Sequence, residues 1–115
     1  MRPILLLALI ALTPAPSPAP SPSQPPGAPP ASDVIWERLA QCESSGDWRA
    51  DTGNGYYGGL QIWPPTWREA GGVSFADRPD RATRRQQITV AEEIRREQGW
   101  AAWGACARHV GLLSP

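Results

Sequence analysis

The chain has 115 residues, with eleven arginines balanced by eleven acids, no lysine, two cysteines and one histidine. A neutral chain lacks the electrostatic footprint of a nucleic-acid binder, and this length holds one domain at most. Only the part from about Asp33 onward has globular composition, roughly 80 residues, a size at which an apolar core alone gives thin stability and a covalent staple is useful.

Met1-Arg2-Pro3 followed by the apolar run from Ile4 to Leu12 has the layout of a secretory signal. That run is too short to span a bilayer, which takes about twenty residues, so no transmembrane segment is expected in the mature chain. Residues 1–15 are assigned to the signal, with cleavage near Ala15 or Ala19, and no cysteine follows the run to carry a lipid anchor. Residues 16–32 are almost entirely Pro, Ala and Ser, which favours extended polyproline II structure with a reach on the order of 50 Å. Whether spacer or solubilising tail, this stretch lies outside the fold, and the domain is assigned to 33–115.

Ser32 or Asp33 can cap a first helix in which Ile35, Leu39 and Cys42 fall at i, i+4 and i+7, with Val34 and Trp36 widening the stripe. This phase predicts a buried Cys42 and places Glu43 at the helix's C-terminal end, on a core boundary. A carboxylate there opposes the helix dipole, so helix stability does not explain it and function is the better account. Ser45-Gly46-Asp47 stops the helix, and Asp51-Thr52-Gly53-Asn54-Gly55 predicts a tight turn or short hairpin. Tyr56-Tyr57 reads as a strand edge, and Gly58-Gly59 allows close backbone approach.

Pro64 and Pro65 open a short helix that Gly71-Gly72 ends. After a loop from Val73 to Ala82, Thr83-Arg84-Arg85-Gln86 matches a capping box. Ile88, Ala91 and Ile94 then form a helical stripe up to Gly99. The arginines of this half alternate with acids, the pattern of a solvated helical face. Trp100 to Trp103 predicts a short helix or turn that returns Cys106 to the first helix. The expected fold class is α+β, mostly helical, with a short β element.

Two cysteines in an exported chain predict a Cys42–Cys106 disulfide, worth about 4 kcal/mol in the chain-entropy model. A metal site built from Cys42, Cys106 and His109 has no credible fourth ligand, and no metal or other cofactor is expected. A single His near the end of the chain gives no convincing Ser/His/Asp or Cys/His site. A carboxylate at a helix end, a Gly/Asn-rich turn and a cluster of aromatics within one short segment suggest a sugar-cleaving site, with Glu43 as candidate general acid, because glycosidic cleavage needs a carboxyl kept protonated near neutral pH. Sugar rings present apolar faces and hydroxyls, so Trp48, Tyr57 and Trp63 are candidate stacking surfaces, and Asn54, Gln61 and Thr66 candidate polar contacts. Trp36, Trp67, Trp100 and Trp103 read as core, while Tyr56 is open between the two roles. Asp47 and Asp51 lie near Glu43 in sequence, but neither stands in an assignable position for a second catalytic carboxylate.

From Trp36 to Val110 the chain resembles the catalytic domain of the resuscitation-promoting factors, secreted bacterial proteins that act on peptidoglycan. The resemblance runs through Trp36-x-x-Leu39-Ala40-x-Cys42-Glu43-Ser44, Asn54-Gly55-Tyr56-Tyr57-Gly58-Gly59-Leu60-Gln61, Thr66-Trp67 and Gln98-Gly99-Trp100-x-x-Trp103-x-x-Cys106. It covers nearly the whole domain, and the sparser pattern is also similar to that of lytic transglycosylases and goose-type lysozymes. The resemblance implies a lysozyme-like fold and a cleft for strands of alternating N-acetylglucosamine and N-acetylmuramic acid. It further implies Glu43 as catalytic acid and a bridge between Cys42 and Cys106. A monomer is expected, with a second cell-wall hydrolase as a candidate partner. Some family members carry an acidic residue where this chain has Trp63, which favours one catalytic carboxylate here and a glycan-stacking role for Trp63. The competing expectation is a module that binds peptidoglycan or signals without cutting it.

Overall fold

The computed structural model describes residues 30–114. The signal assignment and residues 16–29 of the linker assignment lie outside them. Helix α1 spans Asp33–Ser44, with Ser32 as N-cap accepting a hydrogen bond from the Ile35 N–H. Its buried residues are Trp36, Leu39 and Ala40, whereas Val34 is exposed and Ile35 only half-buried.

The buried stripe is therefore centred on Trp36, one residue later than the expected Ile35 phase. At 3.6 residues per turn, that shift carries the stripe through 36, 39, 40 and 43. Cys42, expected on the buried face, is exposed, and Glu43 is the residue that turns inward to become half-buried. The cause is size: the large Trp36 indole captures the core position from Ile35. The helix ends at Ser45 in the left-handed conformation (φ 56°), whose N–H bonds to the Gln41 carbonyl while that of Gly46 bonds to Ala40.

The β element is reduced to two single antiparallel bridges, Asp51 with Tyr57 and Tyr57 with Ile62. Tyr57 and Ile62 exchange both backbone hydrogen bonds, at 3.1 and 2.9 Å. Positive φ at Gly53, Gly55 and Gly58 keeps the backbone from extending on either side of Tyr57, so the expected strand edge is one residue long.

Helix α2, Pro64–Glu69, buries Trp67, whose indole N–H donates to the Ala76 carbonyl at 2.8 Å. Gly72 backs onto that ring so closely that a Cβ there would meet it at 2.3 Å. Two 3-10 turns, Gly72–Ser74 and Pro79–Arg81, fill the expected loop. Helix α3, Arg84–Gln98, starts with the expected capping box between Thr83 and Gln86 and ends at Gly99. It buries Ile88, Ala91 and Ile94 as expected, together with Val90 and Gln87. A 3-10 turn, Trp100–Trp103, precedes helix α4, Gly104–His109, and His109 is exposed.

The core gathers Trp36, Leu39, Leu60, Trp67 and the α3 stripe. Trp36, Trp100 and Trp103 form a ring triad with centroids 5.1–5.9 Å apart, a spacing favourable for tilted aromatic contact. Glu92 accepts from the Trp36 indole N–H at 2.7 Å and from the Ala31 backbone N–H at 2.8 Å, so domain contacts begin two residues before the expected boundary at 33. Across the α1–α3 surface, Arg84 pairs with Glu37 and Arg85 with Asp33. The hydrogen bond from Arg85 holds the Asp33 carboxyl below its usual range.

Candidate active site

Glu43 sits at the last turn of α1, half-buried, and no cation pairs with it among the described residues. Burial strips water from the carboxyl and raises its pKa to about 7. At neutral pH the group is thus close to evenly divided between acid and base, the condition proton transfer in both directions requires.

The end of α1 is fastened on two sides. On one, Cys42 is bonded to Cys106 of α4, with their Cα atoms 5.7 Å apart. On the other, the Ser44 hydroxyl donates to the Gly59 carbonyl at 2.8 Å. Gly59 is itself gripped by Gln87, a fully buried side chain whose Oε1 accepts from the Gly59 N–H at 3.0 Å and whose Nε2 donates to the Trp48 carbonyl at 2.7 Å. A Cβ on Gly59 would meet the Trp48 ring at 2.4 Å, so the glycine is required for this approach. Gly59→Ala is expected to lower stability by about 1–3 kcal/mol through overpacking, measured as a reduced urea midpoint.

The candidate second carboxylates have other commitments. Asp47 accepts from the Arg49 N–H at 2.9 Å, and Asp51 pairs with Arg78 at 3.3 Å. Arg78 also binds Asp80 at 2.8 Å, a bond that holds the Asp80 carboxyl low.

Beside this assembly lies a groove of about 210 Å³. Tyr56, Gln61, Ile62 and Trp63 form one part of its lining, with Thr66 of α2. Ile94 and Gln98 of α3, with Ala102 and Trp103, form the rest. Trp63 and Tyr56 are exposed aromatic faces, at 53% and 46%. Gln61 adopts φ 52°, a strained conformation for a residue with a side chain. Its amide is held at both ends, accepting from Asn54 Nδ2 at 3.0 Å and donating to the Gly58 carbonyl at 3.1 Å.

The structure thus brings Gln61, Trp63 and Thr66 together, and Asn54 reaches the groove through Gln61. Tyr57 and Trp48 do not line it: the Tyr57 ring lies 4.3 Å from the Arg78 guanidinium carbon, and Trp48 is wedged against Gly59. Glu43 does not line the groove either, and its link to Gln61 runs through Ser44, Gly59 and the turn at Gly58–Gln61. Gln98, Ala102 and the groove role of Ile94 escaped sequence reasoning. The available signal was the i, i+4 spacing of Ile94 and Gln98, which puts an amide on the end of a core stripe.

The site is thus carried by a small, mostly helical, disulfide-fastened domain with one half-buried glutamate at the end of its first helix. A model of the transglycosylase-like domain matches residues 30–106. The chain belongs to that family, and it is similar to the resuscitation-promoting factors. It is 55% identical over 84 residues to resuscitation-promoting factor Rpf1 of Corynebacterium glutamicum, covering 73% of this chain and 44% of that protein. RpfC of Mycobacterium tuberculosis is 52% identical over 77 residues, 67% of this chain and 53% of RpfC. RpfB of Mycolicibacterium smegmatis is 47% identical over 76 residues, 66% of this chain and 21% of RpfB. The matched stretch spans between about a fifth and about half the length of these relatives. No helix among the described residues is long and apolar enough to cross a membrane.

Proposed function

We propose that this domain is exported and cleaves peptidoglycan glycan strands, using Glu43 as its single proton-transferring carboxylate. The observation that carries the proposal is a glutamate brought to a pKa of about 7 by burial alone, at a helix end anchored by a disulfide. The protonated carboxyl gives its proton to the glycosidic oxygen as the bond from that oxygen to the anomeric carbon breaks. The muramic acid 6-hydroxyl then bonds to the anomeric carbon and returns its proton to Glu43, leaving a 1,6-anhydro end.

With Asp47 and Asp51 engaged elsewhere, the substrate's own hydroxyl replaces the second carboxylate of ordinary glycosidases. Mass spectrometry of digested peptidoglycan tests this: anhydro ends are expected, and only reducing ends would assign the attack to water. The wider role proposed is cell-wall remodelling in the resuscitation of dormant cells, with another wall hydrolase as candidate partner.

A second reading, a module that holds glycan without cutting it, is favoured by one observation: the groove is lined without Glu43. Release of soluble fragments by the purified protein alone decides against it.

A further inference from the structure

Gln87 is fully buried, the one polar side chain so placed among the described residues. With Ala91 and Ile94 it falls at i, i+4 and i+7, so it heads the α3 core stripe, where an apolar side chain of the same size would fill the space. An amide there costs stability unless its polar atoms find partners, and all of them do. Its Nε2 donates to the carbonyls of Trp48 at 2.7 Å and Ala82 at 3.1 Å, while Oε1 accepts from the Gly59 N–H at 3.0 Å. One side chain thus joins the start of α3 to the loop after α1 and to the Gly58–Gln61 turn. Core packing does not account for an amide at this junction; what it holds in place does.

The turn it holds faces both halves of the site. On one side, the Gly59 carbonyl accepts from the Ser44 hydroxyl at 2.8 Å, closer than the 3.1 Å to Ala40 within Ser44's own helix, and Ser44 directly follows Glu43. On the other, the Gly58 carbonyl accepts from the Gln61 backbone N–H at 3.3 Å and from its side-chain amide at 3.1 Å, and Gln61 lines the groove. Gln87 packs so closely behind Gly58 that a Cβ there would meet its Oε1 at 2.4 Å. A single buried amide therefore backs the turn that connects Glu43 with the groove.

We infer that Gln87 is a positioning residue for the reaction: through Gly59 and Ser44 it fixes the end of α1, and so the direction and depth of the Glu43 carboxyl, without touching substrate. This rests on the glycan-cleaving reading and deepens it. Trp63 and Thr66 stand at the start of α2, and Ile94 and Gln98 in the last turns of α3, so most of the groove wall is held independently of this link. Loss of the Gln87 bonds falls on proton transfer more than on glycan binding. Because burial alone raises the Glu43 carboxyl, its titration midpoint reports how well that depth is kept.

Two substitutions test it. Gln87→Met keeps the volume and removes all three bonds, and Ser44→Ala cuts the same route one contact further on while leaving the core filled. Each is measured for kcat and KM on soluble glycan strands, at a temperature where circular dichroism shows it fully folded. The Glu43 midpoint is followed by carboxyl-carbon NMR, its resonance identified by its loss in Glu43→Gln. For Gln87→Met, kcat is expected to fall about tenfold or more, the scale of a misplaced proton donor, with KM within about threefold of the parent. The Glu43 midpoint is expected to drop by about one pH unit toward the ordinary glutamate value as water reaches the carboxyl. Ser44→Ala is expected to do the same, and the two changes together to do little more than either alone, because they interrupt one chain of contacts. A Gln87 that only supports the fold would raise KM as much as it lowers kcat, leave the Glu43 midpoint in place and add its effect to that of Ser44→Ala, and that pattern overturns the inference. Because the route runs through Ser44, Ser44→Ala alone decides if Gln87→Met does not fold: an unchanged midpoint and kcat overturn it. Retained cleavage by Glu43→Gln would instead overturn the glycan-cleaving reading, and the Glu43 midpoint in the two variants then still confirms or overturns the placement by Gln87.

Discussion

Replacing Glu43 with glutamine is expected to cut fragment release from purified peptidoglycan by about 10²–10⁴-fold, the usual contribution of a positioned general acid. Undiminished release would remove Glu43 from the mechanism. The same change is expected to strengthen the fold above neutral pH. Burial raises the carboxyl from 4.5 to about 7, so between those values the folded protein holds more protons than the unfolded chain. Stability therefore falls as pH rises through that window, because ionisation is opposed by the half-buried site. After allowance for screening at a partly exposed group, the variant should exceed the parent by about 1–2 kcal/mol at pH 8 and match it near pH 4. In the parent, cleavage that depends on the acid form should decline above pH 7. Activity and stability thus pull in opposite directions at one residue.

The Glu43 placement was legible from the sequence, but by a path the structure alters. The i, i+4, i+7 pattern from Ile35 put Cys42 inside and left Glu43 at a boundary. The actual stripe starts from Trp36, and this phase points Glu43 toward the core. Periodicity identifies a helix readily, yet it cannot decide between adjacent apolar residues that compete for one core position. The capping box at Thr83, the α3 stripe and the Gly58-Gly59 close approach could be read directly, because each rests on local chemistry. Gln87 could not. It looks like one more polar residue on a helix beginning, and only the fold brings Trp48, Gly59 and Ala82 within reach of its amide. For the same reason Trp48 and Tyr57 looked equivalent to Trp63 as ring surfaces, though only Trp63 faces the groove.

Removing the disulfide, by Cys42→Ser with Cys106→Ser, should lower stability by about 4 kcal/mol, since the bridge closes a separation of 64 residues. For a domain of this size, that corresponds to a fall in Tm of roughly 15–30 °C, measurable by circular dichroism. Exposure of Cys42 should let a water-soluble phosphine reductant produce the same fall without denaturant. A change under about 5 °C in both experiments would show that packing of the tryptophan triad alone fixes α1 against α4. Activity should fall further than stability predicts, even at 10 °C, because Glu43 is the next residue along and depends on the bridge for its direction.

The double hydrogen bond at Glu92 matters for how the domain bears a pull. Ala31 and the Trp36 indole meet on one carboxylate oxygen, so the chain enters the fold at a point fixed to α3. Tension arriving along the preceding segment would be taken up by the α1–α3 pair, leaving the Ser44–Gly59 contact and the groove unloaded. A pull on the chain before Ala31 could then leave Glu43 and the groove in register.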